Sequence, residues 1–299
     1  MFTGWYERRY NNTGWSKRLE EDLDQELVRT QQEDERAREA EQEAQSQTAW
    51  LRLKLGDRYA GQGKFRQAIS QYRQAVKMDG NNAVFRTRLA DAYVTSGMIA
   101  QGMAEYRKAI RVDPGYAEAW ASLGDLYRRF GMTSVALRMY LRATELSPQR
   151  AFFLYKLSEV YFALGLRGRA LRMLTRAVEL APSAAFYRFR LGELHARCGR
   201  VAEALAGFRE AARMAPYDDY YQVRLATALM SIGLMAEAIA AYQAALELRP
   251  DSHCYRVLLA EARRLAATAP PSAGDDAGAE SLDDYDRAYV RQRRAEYGA

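Results

Sequence analysis

Apolar positions keep one spacing along most of this chain. Written in rows of 34, residues 49–252 align without an insertion, in six rows that start at Ala49, Ala83, Ala117, Ala151, Ala185 and Asp219. The seventh residue of every row is Leu (Leu55, Leu89, Leu123, Leu157, Leu191, Leu225), and the fifteenth is Gly (Gly63, Gly97, Gly131, Gly165, Gly199, Gly233). The twenty-seventh is always Ala (Ala75, Ala109, Ala143, Ala177, Ala211, Ala245). In the first half of a row, apolar or small residues stand at positions 4, 7, 8 and 11, the stripe of an amphipathic helix. In row three these are Trp120, Leu123, Gly124 and Tyr127; the second half repeats the stripe with Ala136, Tyr140 and Ala143. Each row therefore predicts two helices. The Gly between them supplies a backbone conformation that ends the first. Pro114, Pro148, Pro182, Pro216 and Pro250, near the row ends, stop the second. Small residues at positions 8, 20 and 27 let two helix backbones approach, while Leu and Tyr fill the remaining space. No row buries its apolar faces alone, so the rows must stack.

The order Trp-x-x-Leu-Gly-x-x-Tyr, then Gly, Ala, Tyr, Ala and Pro, resembles the tetratricopeptide repeat family. Row three, with AWASLGDLYRRFGMTSVALRMYLRATELSP, matches at nearly every signature position. Rows four to six depart from it: Leu154, Arg188 and Gln222 replace the Trp, His195 and Leu229 the Tyr, and Leu174 the second aromatic. The resemblance implies an all-α fold, a right-handed superhelical solenoid of six tetratricopeptide helical hairpins. The hairpins would be residues 49–82, 83–116, 117–150, 151–184, 185–218 and 219–252. It also implies a concave face that binds peptides or other proteins, and it implies no enzyme. Residues 253–267 continue the register for half a row, with Leu259 and Ala260 in the expected slots and Glu261, Arg263 and Arg264 turned outward. They are expected to form a C-terminal capping helix.

The flanks differ from the repeats in composition. Residues 1–15 hold Phe2, Trp5, Tyr6, Tyr10 and Trp15, an aromatic-rich N-terminal anchor. Residues 16–48 carry Leu19, Leu23 and Leu27 and then a charged run, with nothing to break a helix between Ser16 and Tyr59. They read as a charged helical arm running into the first repeat. Residues 268–281 form a Pro-, Ser- and Gly-containing flexible linker. Residues 282–299 are a Tyr- and Arg-rich recognition segment in which Leu282, Tyr285 and Tyr289 share one helix face. Residues 1–48 carry a net charge of −5, residues 49–266 of +14 and residues 267–299 of −3. A basic array between acidic arms allows self-association, with the arm of one copy on the array of another. Nucleic acid is disfavoured, because Lys and Arg are spread through every row beside acids and no recognised module accompanies them. There is no apolar run long enough for a membrane span and no apolar core for a secretory leader. With only two Cys, a reducing, cytoplasmic setting is expected.

By analogy with the family, row positions 2, 5, 6, 9 and 12 line the concave face. Position 6 is mostly basic (Lys54, Arg88, Lys156, Arg190, Arg224) and position 9 mostly acidic (Asp57, Asp91, Asp125, Glu159, Glu193). The spacing of three suggests ion pairs along each helix. In rows four to six, positions 2, 5 and 12 supply an aromatic strip expected on the open face: Phe152, Tyr155, Phe162, Phe186, Phe189 and Tyr220. With Lys156, Arg190 and Arg224 these form the expected partner groove. Packing within the solenoid is the competing account of the strip. No catalytic, cofactor-binding or metal residues are expected. His195 with Cys198 and His253 with Cys254 sit two rows apart, short of a zinc ligand set. GQGKF at 61–65 is a repeat turn, not a phosphate loop. The chain thus reads as a non-enzymatic scaffold that holds other proteins, as peptide or helical segments, in a larger assembly through its groove and both arms. The alternatives are a homo-oligomeric scaffold and a transient adaptor or co-chaperone. Acids at position 9, where carboxylate-gripping repeats use Asn, count against the adaptor.

Overall fold

The computed structural model describes the backbone of residues 13–268 and the side chains of residues 28–268. Among the described residues there are thirteen α-helices and no strand. They are α1 (Thr13–Gly61), α2 (Phe65–Met78), α3 (Ala83–Thr95), α4 (Ile99–Val112), α5 (Ala117–Arg129), α6 (Thr133–Leu146) and α7 (Ala151–Ala163). They continue as α8 (Arg167–Leu180), α9 (Ala185–Arg197), α10 (Val201–Met214), α11 (Asp219–Ser231), α12 (Met235–Leu248) and α13 (His253–Thr268). Each row thus becomes a hairpin, its first helix on positions 1–13 and its second on positions 17–30. The Gly at position 15 has φ between +71° and +81° in all six rows, a region that side chains resist. At Gly165 the chain closes the turn with Gly165 N–H donating to Phe162 O (2.9 Å) and Leu166 N–H to Tyr161 O (2.9 Å), the paired bonds of a Schellman motif.

The chain divides into two compact units, Met1–Ser122 and Leu123–Ala299. In the first, Leu53, Ile69, Tyr72, Phe85, Leu89 and Tyr93 pack around the small residues Ala49, Ala68 and Ala75. Trp50 meets Phe85 edge-on at 4.9 Å between ring centres. Among the described side chains of α1, only those of its last part join this core. Residues 28–47 are exposed along a helix that advances about 1.5 Å per residue. Trp15 falls within α1. Phe2, Trp5, Tyr6 and Tyr10 lie outside the described residues, as do Leu282, Tyr285 and Tyr289.

In the second unit, the hairpins α7–α8, α9–α10 and α11–α12 follow one another and α13 packs on α12. The core of its last part is built from Phe189, Phe208, Val223, Leu229, Tyr242, Tyr255 and Leu259 over a floor of buried alanines. Close approach explains the small residues. A Cβ on Gly207 in α10 would come within 2.9 Å of the Gly192 Cα of α9, so those two helices cross backbone to backbone.

Candidate functional site

Position 9 of each row is an acid, except for Thr227 in row six, and its partner is set by the residue at position 24. In rows one to three position 24 is Tyr, and its hydroxyl donates to the acid. Tyr72 reaches Asp57 (2.7 Å), Tyr106 reaches Asp91 (2.5 Å) and Tyr140 reaches Asp125 (2.6 Å). Burial, reinforced by the neighbouring carboxylate, pushes the Tyr72 and Tyr140 phenols well above their ordinary range, so both stay protonated donors. Rows four and five break this pattern. Leu174 and Phe208 stand at position 24 and carry no hydroxyl, while position 9 lengthens from Asp to Glu159 and Glu193.

The two glutamates find other partners. Tyr155 donates its hydroxyl to Glu159 Oε1 (2.9 Å). Arg190 donates through Nη2 to the Tyr155 hydroxyl (2.7 Å) and through Nη1 to Glu193 Oε2 (2.8 Å). Arg224 Nη2 donates to Glu193 Oε1 (3.2 Å). Burial pushes the Arg190 guanidinium down, yet Glu193, Tyr155 and Glu159 outweigh it and raise the group well above its ordinary value. Burial and then Glu159 likewise raise the Tyr155 phenol. Tyr155 thus stays a protonated donor and Arg190 a cation.

A cleft of about 180 Å³ opens beside the network. Its wall includes Tyr155, Glu159, Phe162, Arg190, Arg197 and Arg224, and its floor includes Leu174, Leu194 and Phe208. Arg197 lies over the Phe162 ring at 3.9 Å. Beside Tyr155 stand two half-exposed rings, Phe152 (41% exposed) and Phe186 (39%). Phe186 meets Tyr155 edge-on at 5.1 Å, with Arg190 over both rings at 5.4 and 5.3 Å. Lys156 lies over Phe152 at 5.2 Å while donating to Asp125 Oδ1 (2.8 Å).

The expected groove residues therefore separate into three groups. Tyr155, Phe162, Arg190 and Arg224 line the cleft, and Phe152, Phe186 and Lys156 gather around Tyr155 outside it. Phe189 departs from the expectation of an exposed strip. It is 2% exposed, and its ring packs on Phe208 (5.4 Å), Tyr220 (5.2 Å) and Tyr221 (5.3 Å) as part of the core. Tyr155 is also buried, and Arg224 is buried beside Phe189. In row five the packing role given to Leu191 falls to Phe189, for Leu191 is only half-buried. The expected ion pairs along single helices are also corrected. Position 6 pairs mostly with position 9 of the preceding row: Arg88 with Asp57 (3.9 Å), Lys156 with Asp125 (2.8 Å) and Arg224 with Glu193 (3.2 Å). Arg190 pairs within its own helix as well, with Glu193.

Leu174, Phe208 and Arg197 were not among the expected site residues, and Glu159 and Glu193 were expected on the face only as ion-pair partners along their own helices. Their signal is in the alignment of rows: loss of the position-24 hydroxyl and gain of a longer acid at position 9 occur together, in rows four and five alone. Among the described residues no helix is long and apolar enough to cross a membrane.

Four family profiles, each described as Tetratricopeptide repeat, match residues 59–126, 119–151, 155–219 and 220–252. No curated protein matches the chain. Among solved structures, PilF of Pseudomonas aeruginosa aligns at TM-score 0.59 and 19% identity, over 73% of this chain and 99% of that one. A thermophilic TPR protein of Thermus thermophilus aligns at TM-score 0.53 and 25% identity, over 61% of this chain and 99% of that one. A chain of the APC/C hetero-tetramer Cut9–Hcn1 aligns at TM-score 0.58 and 18% identity, over 72% of this chain; the match spans 43% of that chain. The matches support a helical-repeat scaffold for protein interaction.

Proposed function

The chain belongs to the tetratricopeptide repeat family, and on that premise we propose that it is a non-enzymatic scaffold that holds partner proteins of a larger assembly on the face of α7, α9 and α11. The observation that carries this is the cleft, with Phe152 and Phe186 beside the Tyr155–Glu159–Arg190–Glu193 network. Half-exposed aromatics beside a positioned guanidinium are the residue types that dominate binding energy at protein interfaces. A partner's apolar side chain would cover Phe152 and Phe186, while its polar groups would meet Arg190 and Glu159 at the cleft. The aromatic segment 1–15 and the segment 282–299 would add contacts of their own.

The test is affinity capture from the native source with three baits: the full chain, residues 49–266, and the full chain with Phe152→Ser and Phe186→Ser. Partners held by the full chain should survive loss of the arms and be lost from the double variant. Partners indifferent to the double variant and lost with the arms would overturn the assignment of the face. Self-association is a second reading, favoured by the opposite charges of residues 49–266 (+14) and of residues 1–48 (−5). Light scattering at low salt tests it, and a monomer at high concentration would rule it out.

A further inference from the structure

The second unit has another surface, made by the turns inside its hairpins. The ion pairs Lys156–Asp125 and Arg224–Glu193 tie α7 to α5 and α11 to α9, and Arg190–Glu159 (3.9 Å) ties α9 to α7. Each pair joins position 6 of one row to position 9 of the row before. These four first helices therefore lie side by side, parallel and in register. Their C-terminal turns must fall on one edge.

That edge is apolar and basic at once. Phe130 (54% exposed) and Met132 (49%) flank Gly131, and Leu164 and Leu166 flank Gly165. Val201 and Leu234 extend the exposed series along rows five and six. Among them stand Arg129, Arg167, Arg169, Arg172 and Arg200, all exposed. Residues 128–138, 162–172, 196–206 and 230–240 together hold eight Arg against two Glu, and one of those, Glu237, is taken by Arg209 at 2.6 Å. Rows three and four contribute no acid to the edge at all.

Turn chemistry does not require this. A Schellman turn favours an apolar residue just after its Gly, which would account for Met132, Leu166 and Leu234. Rows one and five close the same turn with Lys64 and Arg200 in that place, through the same bonds (Lys64 N–H to Tyr59 O and Arg200 N–H to His195 O, both 2.9 Å). Phe130 and Leu164 precede the Gly, where rows one and two carry Gln62 and Ser96. Nor does the edge resemble a pocket for a protein side chain. It is a row of separate protruding tips, each with an apolar side chain flanked by guanidinium groups.

We propose that this edge docks on an anionic bilayer surface. Phe130, Met132, Leu164 and Leu166 would enter the headgroup layer. Arg129, Arg167, Arg169, Arg172 and Arg200 would pair with lipid phosphates, their aliphatic stems lying along the apolar residues. Docking by the turns leaves Phe152 and Phe186 open, so a scaffold held this way keeps its partner face clear.

The experiment is co-sedimentation of the full chain with phosphatidylcholine vesicles, with and without added phosphatidylglycerol. Binding is expected to the doped vesicles alone and to weaken as salt is raised. The pair Arg167→Glu and Arg169→Glu should weaken it by roughly tenfold or more, since each basic group near such a surface counts substantially. The triple variant Phe130→Ser, Leu164→Ser and Leu166→Ser should weaken binding that persists at high salt. The pair Arg142→Glu and Arg176→Glu makes the same charge change at position 26, about two helical turns beyond Arg169 and one beyond Arg172, and should weaken binding far less. All substituted residues are exposed, and circular dichroism verifies the fold of each variant. Failure to bind doped vesicles would overturn the proposal, as would equal loss in the two charge-matched pairs. Capture of an acidic protein through this edge without vesicle binding would overturn it as well.

Discussion

His195 occupies position 11 of its row, where rows one to four carry Tyr and row six carries Leu229. Its Nδ1 is buried without a hydrogen-bond partner, and burial lowers its pKa below the ordinary 6.5, against the pull of Glu203 and with the push of Arg200. A group whose folded pKa is depressed binds protons more readily in the unfolded chain. Its contribution to stability is therefore complete above about 6.5 and lost as the pH falls through the folded value. Urea unfolding midpoints should drop between about pH 7.5 and about pH 5, and the drop should shrink in His195→Leu, the residue that row six uses there. An unchanged slope in the variant would remove His195 as the cause. Tyr140 gives a second residue-scale expectation. Its fully buried hydroxyl donates to the Asp125 carboxylate, a charge-assisted bond, so Tyr140→Phe should cost about 1.5–3 kcal/mol by chemical denaturation. Lys156 keeps Asp125 paired in that variant, which places the expected cost at the lower end of the range.

At the scale of helices, glycines of identical composition have opposite roles. A methyl group on Gly207 would meet the Gly192 backbone at 2.9 Å and Arg188 O at 3.1 Å, so α9 and α10 would have to separate. Gly207→Ala should destabilise by about 1–3 kcal/mol, even though Ala is the better helix former. On Gly168 the same methyl group meets only Arg172 Nη1, at 3.9 Å. Gly168→Ala should stabilise by about 0.5–1 kcal/mol, and thermal melts of the two variants should move in opposite directions. The hairpins themselves were legible in the sequence because glycine, alanine and proline recur at fixed row positions, each with one backbone role. The burial of Phe189 was not. A first helix packs against its own second helix and against the preceding row, so more than one face is covered, and a single apolar stripe cannot rank position 5 against position 7. Cross-row ion pairs were hidden for a related reason. The i, i+3 rule compares neighbours on one helix, whereas Lys156 finds Asp125 on the adjacent one at 2.8 Å. The cleft needed a comparison of two positions at once, 9 and 24, whose changes mean little separately.

Among the described residues, contacts within each unit run mainly between helices that are neighbours in sequence. Such a chain behaves nearly one-dimensionally: a weakened element loosens its neighbours and leaves distant ones as they were. The capping helix α13 is where this is best tested. Leu259, Tyr255 and Ala262 are buried against the last hairpin, and Asp219 of α11 accepts from the Tyr255 hydroxyl and from Arg249 Nη2 (3.1 Å). Leu259→Ala should cost about 2–5 kcal/mol locally, as a buried Leu truncation does. The loss should appear in hydrogen exchange as faster opening of α11, α12 and α13, with α2, α3 and α4 unchanged. Exchange that accelerated equally along the chain would mean that the rows unfold as one cooperative block. The cleft beside Tyr155 lies one hairpin inward from α11, so a gradient of opening would reach it before the first unit. Partner binding at that face should then restore protection to α9 and α11 in the Leu259→Ala variant, because a ligand that binds only the folded rows stabilises them by mass action.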